Sequence, residues 1–141
     1  MRNIVVILLL FLSLEAKVRF EAKNGVVNDN HSSLIWQQKT GKKNITWQEA
    51  MKYCKKIKLG GHQNWRVPSI DELMSLIDKD GFKFSIDTKH FPDTIEGFYW
   101  TSSSDKNDKS QVWLVFFDNG FGHHSYKDRK GHIRCVHNLE K

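Results

Sequence analysis

The sequence predicts a single domain of the α+β class, with one strand, two helices, irregular loops and then a small antiparallel sheet. The 141 residues suffice for one domain and are too few for two ordinary ones. Two capping boxes mark the starts of the helices, and apolar runs separated by turn signals come after them. Helices and strands that are segregated along the chain in this way are typical of an α+β fold.

The chain begins with a segment typical of export signals. Residues 4–12 are continuously apolar and follow Arg2, and this run is shorter than the roughly 20 residues that span a bilayer. We predict a signal peptide over residues 1–22, with cleavage after Ala16 or Ala22. The mature protein would be periplasmic or extracellular, without a stable membrane span. A buried helix and a membrane anchor are the alternatives.

The predicted domain covers residues 34–138 and is preceded by a polar lead-in over residues 23–33. Leu34–Gln37 is predicted as the first strand, and residues 39–43 as a basic turn. Each predicted helix begins with a capping box, in which a hydroxyl and a carboxylate satisfy backbone amides. The two boxes pair Thr46 with Glu49 and Ser69 with Glu72, and Gly60 with Gly61 ends the first helix.

The second half of the sequence predicts strands. The predicted strands are residues 98–101, 111–117, 122–126 and 132–137, and residues 102–110 are predicted as a loop. The run 111–117 is apolar on both faces, which is typical of a central, covered strand.

The chain has two cysteines, Cys54 on the first predicted helix and Cys135 on the last predicted strand. Export permits disulfides, and only one intramolecular pairing exists. We predict a Cys54–Cys135 disulfide that joins the two ends of the domain. Two buried free thiols are the alternative.

The formal net charge is +6, from 22 basic and 16 acidic residues. A basic exported protein is expected to meet polyanions such as acidic polysaccharides. A generic soluble surface explains the charge equally well. We predict either an anionic polysaccharide or another exported protein as the partner, and no nucleic acid.

A cationic cluster on neighbouring predicted strands is the main candidate binding site. The cluster has four histidines, His123, His124, His132 and His137, with Lys127, Arg129 and Lys130 between them. It would hold a sulfated or phosphorylated glycan more strongly as the histidines protonate. The predicted contacts are five of these residues: His123, His124, Lys127, Arg129 and Lys130. A solvated face and a metal site are the alternatives. Adjacent strand residues face opposite sides, so the two neighbouring histidines cannot easily share one metal.

Two further residues are candidate ligand contacts. Arg66 could hold an anion, or it could tie its loop to a carboxylate or to backbone carbonyls. Trp100 could stack on a sugar, or it could belong to the core. We predict no metal site, no cofactor and no catalytic residue, because the sequence contains no nucleophile elbow, no phosphate loop and no His-Glu-x-x-His motif.

Oxygen-bearing side chains in the loops form a weak calcium pattern. They are Asp93, Glu96, Asp105, Asn107 and Asp108. The sequence lacks the tripeptides that form a sugar-binding calcium site, so we interpret these residues as solvated loop charges.

Several motifs together resemble one bacterial family. They are Leu34–Gln37, Thr46–Ala50 with Tyr53–Cys54, Leu59–Gly61 with Asn64–Ser69 and Glu72–Leu73, Tyr99–Ser103, Val112–Trp113 and Arg134–Val136. The chain is similar over about residues 34–137 to the domain named after the C-terminal domain of the Legionella collagen-like protein. The chain lacks the collagen-like Gly-X-Y region of that relative.

The resemblance implies a C-type-lectin-like fold, with two helices packed on a small twisted sheet and a long irregular loop region. It also implies a disulfide between the first helix and the last strand. It further implies an adhesin-like module that binds sulfated polysaccharide, here without calcium. The alternative is a protein-interaction module in envelope assembly or surface attachment, which would use residues 102–110 and 85–91.

Overall fold

The computed structural model describes residues 18–139 and contains two helices and two small antiparallel sheets. The predicted α+β class is therefore confirmed. In chain order the elements are β1 (Phe20–Lys23), β2 (Val26–Asp29), β3 (Leu34–Gln37), α1 (Trp47–Lys56), α2 (Ile70–Met74), β4 (Phe98–Ser104), β5 (Gln111–Phe116), β6 (Phe121–Tyr126) and β7 (Val136–Asn138). The first sheet has the order β1-β2-β3-β7 and the second has the order β4-β5-β6.

Both predicted capping boxes are present. Thr46 caps α1 with Glu49, and Ser69 caps α2 with Glu72. The helix α1 ends at Lys56, before the two glycines, because Ile57 adopts an extended backbone with ψ 146°. The helix α2 ends at Met74. Both helices are therefore shorter than their apolar periodicity predicts, since that spacing continues to Ile57 and to Ile77.

The predicted polar lead-in over residues 23–33 is wrong. Asn24 and Gly25 have positive φ angles of 54° and 79°, which makes them the tight turn of the β1–β2 hairpin rather than a linker. The strand β2 contributes buried Val26 and Val27 to the core. The sheet therefore begins before residue 34.

The strand β1 is tied to the rest of the domain by its own contacts. The side chain of Phe20 is buried, and the guanidinium of Arg19 donates to both carboxylate oxygens of Asp29 at 3.1 Å. The predicted signal peptide falls largely on residues 1–17, outside the described residues. Of the two predicted cleavage sites, Ala22 lies inside β1 and Ala16 precedes it.

The predicted closing strand over residues 132–137 is only partly formed, since β7 begins at Val136. The preceding residues run between the two sheets instead. His132 exchanges backbone hydrogen bonds with Phe98 and Trp100, and the carbonyl of Cys135 accepts from Gln37. The predicted loop over residues 102–110 also begins later, because β4 extends to Ser104.

The core lies on both sides of β5, as expected for a central strand. Val115 belongs to one buried cluster with Tyr99, and Leu114 belongs to another with Trp100. The second cluster contains the predicted disulfide, which joins Cys54 to Cys135 with a Cα–Cα distance of 5.6 Å. No helix within residues 18–139 is long and apolar enough to cross a membrane.

Arg134 is fully buried where the two sheets meet. Its guanidinium donates to the carbonyls of Gln37 and Gln38 and lies 4.9 Å from the centre of the Phe91 ring. The nearest carboxylate oxygen, on Asp93, is 3.9 Å away. Backbone carbonyls and an aromatic face thus carry much of the compensation for this buried charge.

Candidate functional site

The structure brings two basic turns together. The backbones of Ile45 and Gly131 exchange two hydrogen bonds of 2.8 Å. This pairing aligns the segment 42–45 with the segment 127–131, and we call the two segments together the basic turn pair. Four exposed cations come from it: Lys42, Lys43, Arg129 and Lys130.

These cations remain available to a ligand. None of the four forms an ion pair with a carboxylate among residues 18–139, although the ammonium of Lys42 lies 5.6 Å from the centre of the Tyr53 ring. Asp128 is an exposed acid within the pair. A surface of this kind attracts anions, and the attraction weakens as salt rises.

A cleft of about 340 Å³ adjoins the basic turn pair on one face of the second sheet. We call it the basic cleft, and its lining includes Phe98, Phe116, His123 and Arg129. Gly131 joins the cleft to the turns, because a Cβ atom there would lie 2.1 Å from the Phe98 ring. Aromatic walls with a cation at the rim suit an anionic sugar better than a purely apolar ligand.

Buried His132 contacts the basic turn pair on its inner side. Its Nδ1 accepts from the backbone N–H of Asn44 at 3.3 Å, and its Nε2 donates to the carbonyl of Glu96 at 2.8 Å. These two contacts fit the neutral imidazole with its proton on Nε2. Burial lowers the pKa of His132 below its ordinary value, and the nearby charge of Lys43 lowers it further.

The five residues of the predicted cationic cluster do not form one patch. As predicted, His123 and His124 lie on opposite faces, because they pair with Leu114 and Trp113 of β5 respectively. His124 faces an acid, since its Nδ1 lies 3.4 Å from the Asp105 carboxylate. The ammonium of Lys127 is 4.5 Å from the centre of the Trp47 ring.

The structure therefore separates Lys127 from the rest of the predicted cluster and adds Lys42 and Lys43 to it. His123, His124 and Arg129 line the same cleft, although the His124 ring packs against Trp113, and Lys130 follows Arg129 in the chain. Sequence reasoning did not place Lys42 and Lys43 in the site. Their basic turn is visible in the sequence, but its pairing with residues 127–131 depends on contacts between distant segments.

The two remaining candidate contacts are not free for a ligand. The prediction of Trp100 as a sugar platform is wrong, because its side chain is fully buried and donates to the Ile45 carbonyl at 2.9 Å. Arg66 donates two hydrogen bonds, of 2.6 and 2.7 Å, to Glu72. These bonds lower the pKa of the Glu72 carboxyl. The structure thus gives Arg66 the tying role that the sequence left open.

The carboxylates of three acidic loop residues accept hydrogen bonds from backbone amides. The Asp93 carboxylate accepts from the backbone N–H of Thr40 at 2.9 Å, while Asp105 and Asp108 each accept from the backbone two residues later. Within residues 18–139, no group of three acidic, histidine or cysteine side chains could hold a metal ion.

The two segments of the predicted protein-docking surface lie apart. Ser85 bonds to Phe117 after the end of β5, whereas Asp105 bonds to Gln111 at its start. Six residues of strand separate these points by about 17 Å or more. A partner that contacts both segments would have to span this distance along β5.

Comparison with known families gives one assignment. The family model described as the Lcl C-terminal domain matches residues 25–137. The chain belongs to the Lcl C-terminal domain family. This confirms the family resemblance seen in the sequence, and the match begins at the β1–β2 turn rather than at residue 34. A search of curated proteins finds no match.

Proposed function

We propose that this chain is an exported binding module with a C-type-lectin-like fold that recognises anionic polysaccharide without calcium. The observation that carries the proposal is the pairing of Ile45 with Gly131, which gathers four exposed cations beside an aromatic cleft. Sulfate or carboxylate groups of the polymer would lie on the cations, and a sugar ring would occupy the basic cleft.

Family membership supports this proposal, since the resemblance implies an adhesin-like module for sulfated glycans. The disulfide suits an oxidising compartment. We propose no catalytic activity for this chain.

The test is binding of the oxidised protein to heparin, to a carboxylated polysaccharide and to a neutral one, at low and high salt, with and without EDTA. We expect binding to the two anionic polymers that weakens with salt and is unaffected by EDTA. Binding that is lost in EDTA, or that persists unchanged at high salt, would contradict the proposal.

A charge-reversal pair locates the site. The double variant Lys43→Glu with Lys130→Glu should weaken heparin binding on the order of tenfold or more. The matched control is Lys55→Glu with Lys56→Glu, which reverses two exposed lysines at the end of α1. Equal losses in both variants would indicate attraction to net charge alone.

One observation favours a second candidate, a protein-interaction module. The side chains of Phe82 and Phe121 are 88% and 62% exposed. They lie on adjoining turns, because Ser85 Cβ is 3.3 Å from the position that a Cβ atom on Gly120 would occupy. Capture of an exported partner that is insensitive to salt and lost in Phe82→Ser would support this candidate.

A further inference from the structure

A second cleft lies on the other face of the β4-β5-β6 sheet. It measures about 440 Å³, which is within the usual range of small-ligand sites, about 300–1,000 Å³. We call it the tryptophan cleft, and its lining includes Ile70, Trp113, Ser104, Asp105 and Asn107. Trp113 and Leu114 are neighbours on β5 and point to opposite faces, so this cleft is separate from the basic cleft.

The indole of Trp113 is held in place by its surroundings. The His124 ring packs edge-on against it, with ring centres 5.2 Å apart and an interplanar angle of 75°. His124 is itself fixed by Gln111 and by Asp105. The indole is thus ordered before any ligand arrives, which reduces the entropy lost on binding.

The opposite wall is equally fixed. The backbone N–H of Ile70 donates to the Ser103 hydroxyl at 2.9 Å, which joins the start of α2 to β4. The Asp105 carboxylate caps the turn at Asn107, with a 3.0 Å bond to its backbone N–H. The cleft therefore has a rigid apolar floor and a rigid polar rim.

The chemistry of this cleft differs from that of the basic cleft. The rim carries hydroxyl, amide and carboxylate groups from Ser104, Asn107 and Asp105, which can bond sugar hydroxyls. Asp105 and Lys106 are the charged residues of the lining, and their charges balance, so the cleft lacks the excess of cations that would attract a sulfated or carboxylated ligand. An aromatic floor suits the C–H face of a pyranose ring.

We infer that the tryptophan cleft binds a neutral hexopyranose unit of a polysaccharide, stacked on Trp113 and hydrogen-bonded to Asp105 and Asn107. This site is independent of the proposed anion-binding function, because it uses the other face of the sheet and has no excess of cations. A polymer with neutral and charged units could contact both faces at the edge strand β6.

The experiment titrates the oxidised protein with maltohexaose, cellohexaose and mannohexaose at high salt, with the Trp113 indole N–H resonance as the readout. At least one neutral oligosaccharide should shift this resonance saturably at millimolar concentration. Ser104→Arg, at an exposed position on the rim, should weaken that binding about tenfold by filling the cleft.

Two controls keep the result interpretable. Phe121→Ala removes an exposed aromatic ring on β6 outside the cleft and should leave binding unchanged. Lys43→Glu with Lys130→Glu should also leave it unchanged, so failure of the anion-binding proposal is distinguishable from failure of this one. Absence of any saturable shift with all three sugars would overturn the inference, as would binding that survives Ser104→Arg.

Discussion

At the residue scale, the basic turn pair depends on the protonation state of one buried side chain. His132 is 5% exposed, and its Nδ1 accepts from the N–H of Asn44 in the turn above it. A second proton would have to occupy Nδ1 and would face this N–H. The folded state therefore disfavours the charged imidazole, as the lowered pKa indicates.

This arrangement predicts that the domain loses stability in mild acid. Unfolded histidine titrates near pH 6.5, and His132 in the folded state titrates at lower pH despite the opposing charge of Asp118. Between these two pKa values the unfolded chain binds more protons, so the free energy of unfolding falls as the pH drops below about 6.5. Urea midpoints from pH 8 to pH 5 measure the effect.

Two variants assign this pH dependence to one residue. His132→Gln should flatten the dependence, whereas His123→Gln, at an exposed position in the basic cleft, should leave it as it is. A pH profile in His132→Gln that matches the wild type would contradict the assignment.

Arg134 gives a second prediction at this scale. Arg134→Lys keeps the charge but removes donors to the carbonyls of Gln37 and Gln38. Because buried acceptors without partners are costly, the variant should lose about 3 kcal/mol of unfolding free energy. Urea denaturation measures this loss, and a stability within error of the wild type would show that lysine satisfies the same carbonyls.

At the scale of elements, the sequence predicts best those features that short-range chemistry determines. Both helix starts follow from a hydroxyl and a carboxylate three residues apart, and the central strand β5 follows from its apolar run. The β1–β2 hairpin was missed because its Asn24-Gly25 turn was interpreted as a linker. The basic turn pair could not be predicted, since it depends on the long-range pairing of Ile45 with Gly131.

The strand β1 favours one of the two predicted cleavage sites. Cleavage after Ala22 would remove Phe20 and most of β1, which exposes apolar surface worth about 1.5–3 kcal/mol. For the export proposed above, we expect cleavage after Ala16 and a mature chain that begins at Lys17, which mass spectrometry of its N-terminal peptide would establish. A chain that begins at Lys23 should unfold at lower urea, and equal stability would show that β1 is dispensable.

At the scale of the whole molecule, one covalent bond and one buried segment hold the two sheets together. The disulfide joins α1, which packs on the second sheet, to Cys135, which directly precedes β7 of the first sheet. Residues 131–135 bond to β4 on one side and to the segment 37–45 on the other. The basic turn pair lies at one end of this same segment, so the geometry of the site depends on the junction.

This dependence predicts that loss of the disulfide lowers the stability of the domain more than it lowers the affinity for heparin. The bond closes a sequence separation of 81 residues, for which chain entropy gives a stabilisation of about 4 kcal/mol. The double variant Cys54→Ala with Cys135→Ala should therefore have a much lower urea midpoint.

If the variant is still folded in dilute buffer, the hydrogen bonds of residues 131–135 should keep the basic turn pair assembled. Heparin affinity should then change less than in Lys43→Glu with Lys130→Glu, and amide exchange at Ile45 and Gly131 should report whether the turns remain paired. Loss of heparin binding together with retained protection at these two amides would show that the disulfide, and not the paired backbone, positions the cations.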